Sequence, residues 1–366
     1  MKRTLIHLVA AARPNFMKIA PLYHALMREP WCDPVIVHTG QHYDENMSEA
    51  FFRDLDLPQA DHNLDVGSGS HAEQTAGVMV AYEKLCMNHR PDWVVVVGDV
   101  NSTMACTLAA KKLNLPVAHL EAGLRSFDRS MPEEINRIVT DSLADLLWTP
   151  SPDADSNLER EGVPRDRIVR VGNIMIDAFE LMRSKIASAD VADRLGLAKR
   201  RYGVVTIHRP VNVDAAATLA AIVDRLVEVS ARIPLVFPIH PRTRNRLEQA
   251  GLLVRLKAAP AIHILEPLGY VEFMNALMNA AIAITDSGGI QEETTYLGVP
   301  CVTLRDNTER PITITEGTNT LVKLDMMVSA VMLALSSVRS ERHCPELWDG
   351  KTAQRVVASL RQVRGR

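Results

Sequence analysis

A doubly wound α/β fold, built twice in succession, is predicted by three features of this chain. Short β-branched runs alternate with helix-length segments from end to end, the pattern of parallel strands joined by crossover helices. Each run gives way to polar residues or glycine before the next helical segment, as strands do when they feed a turn. The 366 residues, of near-average composition, suit two cores of ordinary size better than one large one.

The first strand is read in the opening apolar run, Thr4 to Ala10. With Lys2 and Arg3 before it the run imitates an export signal, but it is short, carries His7 and leads straight into Arg13-Pro14. Further strands are expected at 34–39, 93–97, 117–120, 146–149 and 168–171, and in the second half at 203–206, 235–238, 262–265, 281–285 and 301–304. A joint near 172–180 gives an N-terminal domain of 1–175 and a C-terminal domain of 176–351, with a last helix at about 352–366 packing back on the first. Open α/β sheets bind ligands outside the carboxyl ends of their strands. A cleft between the two sheets is therefore the expected site.

Whole-chain properties exclude several functions. With 41 basic and 44 acidic residues, the net charge of −3 offers no global field for nucleic acid or a membrane surface. No apolar stretch approaches the roughly 20 residues of a membrane helix. Five scattered cysteines, never paired as CxxC, fit a reducing cytoplasm. The chain has no GxGxxG, no GxxxxGK[ST] and no HExxH, so neither a standard dinucleotide fingerprint, a Walker site nor a zinc helix is expected.

The most informative stretch is Thr285-Asp286-Ser287-Gly288-Gly289-Ile290-Gln291-Glu292-Glu293. A strand that breaks into Ser-Gly-Gly and then a helix presents free N–H groups and a positive helix end, which suit a diphosphate. Glu293, about one and a half turns in, is placed to accept from both hydroxyls of a ribose. The simpler account makes Ser287 a helix cap. Gly98-Asp99 closes another strand, with Asp99 a cap on the simplest reading. Glu121 stands at a strand's carboxyl end beside a sharp turn in His119-Leu120-Glu121-Ala122-Gly123-Leu124-Arg125, a place more often functional than structural, although Arg125 could simply pair with it. Ser130 and Glu133 have capping-box spacing around Pro132. His208-Arg209 ends a strand with two groups able to meet an anion. Arg13 and Lys18 place two cations after the first strand.

Taken together, these segments resemble the non-hydrolysing UDP-N-acetylglucosamine 2-epimerases over nearly the whole chain. The resemblance is carried by Arg13-Pro14 with Lys18, Thr39-Gly40-Gln41-His42, Gly98-Asp99, His119 to Arg125, Pro132 to Arg137, Thr206 to Arg209, Thr285 to Glu293, and Thr308-Glu309-Arg310-Pro311. It implies a GT-B-like fold, a homodimer, and no metal or nicotinamide cofactor. Arg13, Ser287, Gly288, Gly289, Glu293 and Arg310 would hold UDP, with Leu268 and Phe273 near the uracil. Lys18, Asp99, Glu121, Glu133 and His208 would surround the sugar and its leaving group, with Arg209 and His240 as further substrate contacts. The implied chemistry is loss of UDP from C1 and of the proton from C2, giving a 2-acetamidoglucal, then re-addition of UDP with the proton delivered to the other face. C2 has no neighbouring carbonyl, so direct deprotonation there is too costly.

The chain departs from the common pattern at Ala11-Ala12, at Pro210-Val211-Asn212, and at Val66 to His71. In the last, many members carry an Arg-Gln pair that helps bind a second, activating UDP-sugar. With Gln41-His42-Tyr43-Asp44 and Asn46-Met47-Ser48, that segment resembles a subgroup acting on UDP-2,3-diacetamido glucuronates. A GT-B glycosyltransferase and a UDP-sugar-binding regulator without turnover are the readings of other classes.

Overall fold

Why Val94–Val97 is buried end to end follows from its place in an all-parallel sheet covered by helices on both faces, where no strand face meets water. The structure, a computed structural model, describes residues 3–40, 52, 54–336 and 344–363, and the backbone alone at Arg13. Gln41, His42, Tyr43, Asp44, Asn46, Met47 and Ser48 lie outside the described residues.

Two compact units emerge, Met1–Met182 with Glu346–Arg366, and Arg183–Pro345. The division falls later than 175/176 because the helix Ile174–Ser188 begins as part of the first unit. Its Ile174, Ile176, Ala178, Phe179 and Met182 are buried. The chain rejoins that unit at Glu346, before the helix Thr352–Val363. Asp177 receives the N–H groups of Thr352 and Ala353 at 3.1 and 2.8 Å, capping this last helix, and the Trp148 indole donates to Ser359 Oγ at 3.0 Å.

In the first unit the strands are β1 (Thr4–Ala10), β2 (Cys32–His38), β3 (His62–Asn63), β4 (Trp93–Val97), β5 (Val117–Leu120), β6 (Leu146–Thr149) and β7 (Ile168–Arg170), in the order β3-β2-β1-β4-β5-β6-β7. All pairs are parallel. The second unit has β8 (Gly203–Thr206), β9 (Leu235–Pro238), β10 (Ile262–Leu265), β11 (Ile282–Thr285), β12 (Cys301–Leu304) and β13 (Asn319–Val322), ordered β10-β9-β8-β11-β12-β13 and also parallel. Strand order reverses between β1 and β4, and again between β8 and β11. Those are the positions where doubly wound sheets open toward a ligand.

Each unit has its own core. Val9, Val37, Val94, Val96 and Val117 meet Val78, Tyr82 and Cys86 of the helix His71–Asn88 and Ala105, Cys106 and Ala109 of the helix Asn101–Lys112. The alanines let these helices approach closely. In the second unit Val205, Phe237, Ile282, Ile284 and Val302 pack against Leu219, Ile222, Val223 and Leu226 of the helix Ala216–Ser230.

Candidate active site

In the first unit the β1/β4 switch point gathers three polar side chains. The helix Arg13–Met27 leaves β1 and carries Asn15 and Lys18 past the end of β4, where the Asn15 amide donates to Val97 O at 3.1 Å. Lys18 Nζ lies 2.5 Å from Glu121 Oε2. Both are buried, and the second Glu121 oxygen has no hydrogen-bond partner among the described residues. Glu121 follows β5 in the left-handed region at φ +72°. A non-glycine residue held there stores strain, which collects at functional sites. Gly98 permits this approach: its φ is +66° and a Cβ would stand 2.9 Å from Lys18 Nζ. A side chain here would be strained by the left-handed φ and would require Lys18 to shift.

The simpler alternative, a Glu121–Arg125 pair, does not form. Arg125 points away, with Nη1 2.7 Å from Asp141 Oδ2 and Nη2 2.6 Å from Glu161 Oε2. Asp141 also accepts from the Gly123 N–H at 3.0 Å and lies 2.6 Å from His119 Nδ1, while His119 Nε2 meets Gly98 O at 2.9 Å. Burial alone would raise the pKa of Asp141, but His119 and then Arg125 outweigh it and hold it below the carboxylate range. This network braces the turn after β5 from beneath.

Two capping expectations also fail. Asp99 is not the cap of Asn101–Lys112; that position belongs to Val100. Instead the Asp99 carboxylate, partly exposed, pairs with the buried Arg137, and the Asn136 amide donates to Asp99 O at 2.9 Å. Nor does Ser130 form a capping box with Glu133. The helix Pro132–Leu143 starts from Met131, Pro132 does take the first turn, and Ser130 turns back to Asp128 at 2.6 Å. A helix entered through the Asp128–Ser130 turn leaves the Ser130 hydroxyl already engaged. Glu133 stands exposed in the first turn. Its neighbour Glu134 is buried and accepts from Ser126 N–H at 3.0 Å, Phe127 N–H at 2.8 Å and both Nε and Nη2 of Arg137.

In the second unit the β8/β11 switch point is organised by Asp286. Fully buried, it accepts from the backbone N–H of His208 at 3.0 Å and of Arg209 at 2.9 Å, from the Asn212 amide at 3.0 Å, and lies 3.0 Å from His208 Nδ1. Burial pushes its pKa up, yet His208 and the remaining donors bring it below the ordinary value. An ionised Asp286 fixes Nδ1–H of His208 toward itself and leaves Nε2 as the free ring position. His240 is 5.5 Å away between ring centroids; its Nδ1 accepts from Arg242 N–H at 3.2 Å as the N-cap of the helix Pro241–Gln249. Burial, His208 and Arg242 lower its pKa and keep it neutral.

The helix Gly288–Leu297 begins immediately after. Ser287 occupies its N-cap position, but the hydroxyl makes no capping bond. A Cβ on Gly288 would lie 2.6 Å from Glu309 Oε1 and 2.9 Å from Arg310 Nη1, so that ion pair would have to shift to admit one; at Gly289 it would meet nothing within 4 Å. The second glycine therefore leaves the helix end open to an incoming group rather than filling a packed gap. Arg310 lies behind it, paired with Glu309 and 2.8 Å from Glu292. Glu293 is buried, and its pKa is raised to about 8 by burial despite the Tyr270 phenol beside it, with Glu292 adding to the rise. The Tyr270 hydroxyl is buried without a well-formed hydrogen bond. Leu268 and Phe273 are half-buried, in the loop after β10 and on the helix Tyr270–Met278. Among the described residues no group of three or more His, Cys, Asp or Glu is arranged to hold a metal ion, and no helix is long and apolar enough to cross a membrane.

Asp286, Asn212, Tyr270, Arg137 and Asp141 carry no individual sequence signal for these contacts. Asp286 alone was within reach, as the residue between β11 and Ser-Gly-Gly.

A profile of the family described as UDP-N-acetylglucosamine 2-epimerase matches residues 24–361. A Methanocaldococcus jannaschii UDP-N-acetylglucosamine 2-epimerase is 42% identical over 97% of this chain and 98% of its own length. A Pseudomonas aeruginosa UDP-2,3-diacetamido-2,3-dideoxy-D-glucuronate 2-epimerase is 40% identical over 89% of this chain and 91% of its own. The crystal structure of the Methanocaldococcus jannaschii UDP-GlcNAc 2-epimerase in complex with UDP-GlcNAc and UDP superposes with a TM-score of 0.88 at 40% identity, covering 98% of this chain and all of that one. With its two parallel-sheet α/β units, its GT-B-like fold and these matches, the chain belongs to the UDP-N-acetylglucosamine 2-epimerase family of isomerases.

Proposed function

We propose that this enzyme interconverts UDP-N-acetylglucosamine and UDP-N-acetylmannosamine by elimination and re-addition of UDP. The observation that carries the reading is Glu121: a buried, strained carboxylate with one oxygen on Lys18 and the other unengaged, at the switch point that Asp99 also borders. Asp99, Glu121 and Glu133 form the pool of groups that remove the C2 proton and return one to the opposite face, assistance typically worth about 10²–10⁴-fold. As the C2–H electrons form the C1=C2 bond, the C1–O bond breaks and its electrons leave with UDP. Re-addition of a phosphate oxygen at C1 reverses this after proton delivery.

In the second unit, the open end of Gly288–Leu297, with Ser287, Gly288 and Gly289, suits the diphosphate. His208, held by Asp286, turns Nε2 toward the departing phosphate and stabilises it, and Arg209 and His240 flank it. Glu293 suits the ribose, Leu268 and Phe273 the uracil, and Arg310 braces the helix end. Arg13 and Lys18 supply cations after β1. In D₂O, deuterium is expected at C2 of both epimers, with slow leakage of UDP and the glucal. Full retention of the C2 hydrogen in product would sink the mechanism.

The Pseudomonas aeruginosa relative, together with the sequence of Val66 to His71, favours the diacetamido uronate as a second substrate reading. Comparing turnover of the two UDP-sugars separates them. The same proposal makes the enzyme a cytoplasmic homodimer that supplies an activated sugar for polysaccharide assembly. Four free cysteines are buried, as suits a reducing compartment. Ala72, Ala76, Val80 and Met87 line an exposed stripe on the helix His71–Asn88 at spacings that suit a helix-to-helix contact.

A further inference from the structure

The loop that joins Glu121 to Glu133 holds an aromatic ring in solvent by means of a strained backbone. Phe127 is 73% exposed and has φ +59°. Bulky side chains rarely occupy that region. A glycine would hold the same path without strain, so the fold alone gives no reason for a ring here. Nor is the loop loose. Arg125 and Ser126, just before it, are buried, and the two oxygens of Glu134 accept the Ser126 and Phe127 N–H groups at 3.0 and 2.8 Å. Glu134 is held in turn by Arg137, the residue that pairs with Asp99. One buried cation therefore fixes both a candidate acid and the backbone that presents the ring.

We propose that Phe127 is a specificity-determining residue, the apolar wall against which the C–H face of the bound N-acetyl sugar packs. The inference rests on the reading above, in which Glu121 and Glu133 act on that sugar. Sugar rings have one face rich in C–H groups, and aromatic side chains line ligand sites for such faces. A backbone held by Glu134, between two acids in sequence and linked to a third through Arg137, presents that ring from a path that need not be ordered on binding. Preordering of this kind accounts for strain that packing does not require.

The test compares Phe127→Gly and Phe127→Tyr with wild type. Phe127→Gly is expected to keep UDP affinity within twofold and a Tm no lower than wild type, while KM for UDP-N-acetylglucosamine rises at least fivefold and kcat falls less than threefold. Phe127→Tyr, which restores the ring, is expected to return KM to within twofold of wild type. A Phe127→Gly enzyme with wild-type KM overturns the proposal, as does loss of UDP affinity in parallel with KM, or a KM change that appears only with a change of oligomeric state. Wild type that fails to exchange the C2 hydrogen would instead overturn the reaction assignment, so the two failures are distinguishable.

Discussion

The three carboxylates proposed for proton transfer stand in different settings, which makes them separable by substitution. Glu121 is buried on Lys18, Asp99 is partly exposed on Arg137, and Glu133 is exposed in a first helical turn. Asp99→Asn, Glu121→Gln and Glu133→Gln should each lower kcat at least ~10²-fold while UDP affinity stays within a few-fold. A variant with wild-type kcat removes its residue from the mechanism. His208→Ala should also weaken UDP binding. Glu293 adds a pH signature. Burial leaves it protonated below about 8, whereas a carboxylate that accepts from two ribose hydroxyls must be ionised. UDP affinity is therefore expected to rise between pH 6 and 8, by up to about tenfold per unit, with a flat profile in Glu293→Gln. Titration calorimetry across that range checks it, and equal slopes for both proteins would exclude the role. Such residues were legible only in part. Asp99, Glu121, His208 and the Ser-Gly-Gly turn stand out because strand ends attract chemistry. Asp286 binds His208 across 78 residues, and only the adjacency of β8 and β11 reveals it.

All eleven expected strands overlap observed ones and eight match residue for residue, since a buried parallel strand is a short apolar run bounded by turns. What escaped is equally physical. β3 is two residues long and β13 is an edge strand whose exposed positions break the apolar run. The capping box expected at Ser130 requires a hydroxyl that Asp128 already takes, whereas the one that does form, from Ser70 to Glu73, opens the helix His71–Asn88. Element-scale burial also sets an acid limit on stability. His7, in the middle of β1, is fully buried beside the Tyr82 hydroxyl, and burial followed by His62 and His89 lowers its pKa to about 4. The unfolded chain takes up this proton near the ordinary value of 6.5, while the folded chain resists it. Stability is complete above 6.5 and falls as pH drops toward 4, by about 3 kcal/mol at most. His7→Leu should flatten this part of a urea-unfolding profile against pH. A variant with the wild-type slope assigns the acid sensitivity elsewhere.

At the scale of the whole molecule, regulation depends on which cations remain available to a second UDP-sugar. Members that resemble this chain and carry an activator site use an Arg-Gln pair where Gly69 and Ser70 stand here. Gly69 has no side chain, and Ser70 is committed to its helix: its Oγ accepts from Glu73 N–H at 3.3 Å and its own N–H donates to Glu73 Oε2 at 2.8 Å. Arg242 and Arg244, after His240-Pro241, are the substitutes that the second unit offers. Arg242 forms an ion pair with Asp214, and Arg244 lies 2.7 Å from Glu266. Recruiting either would break an existing pair, and neither glycine nor serine supplies a charge-assisted, bidentate contact to phosphate. The enzyme should therefore show hyperbolic kinetics in both directions, with no need for added UDP-N-acetylglucosamine to start from the manno epimer. Initial rates from pure manno epimer, with and without a trace of the gluco epimer, decide it. A lag or sigmoidal curve that the trace abolishes would show that an activator site survives, built from residues other than 69 and 70.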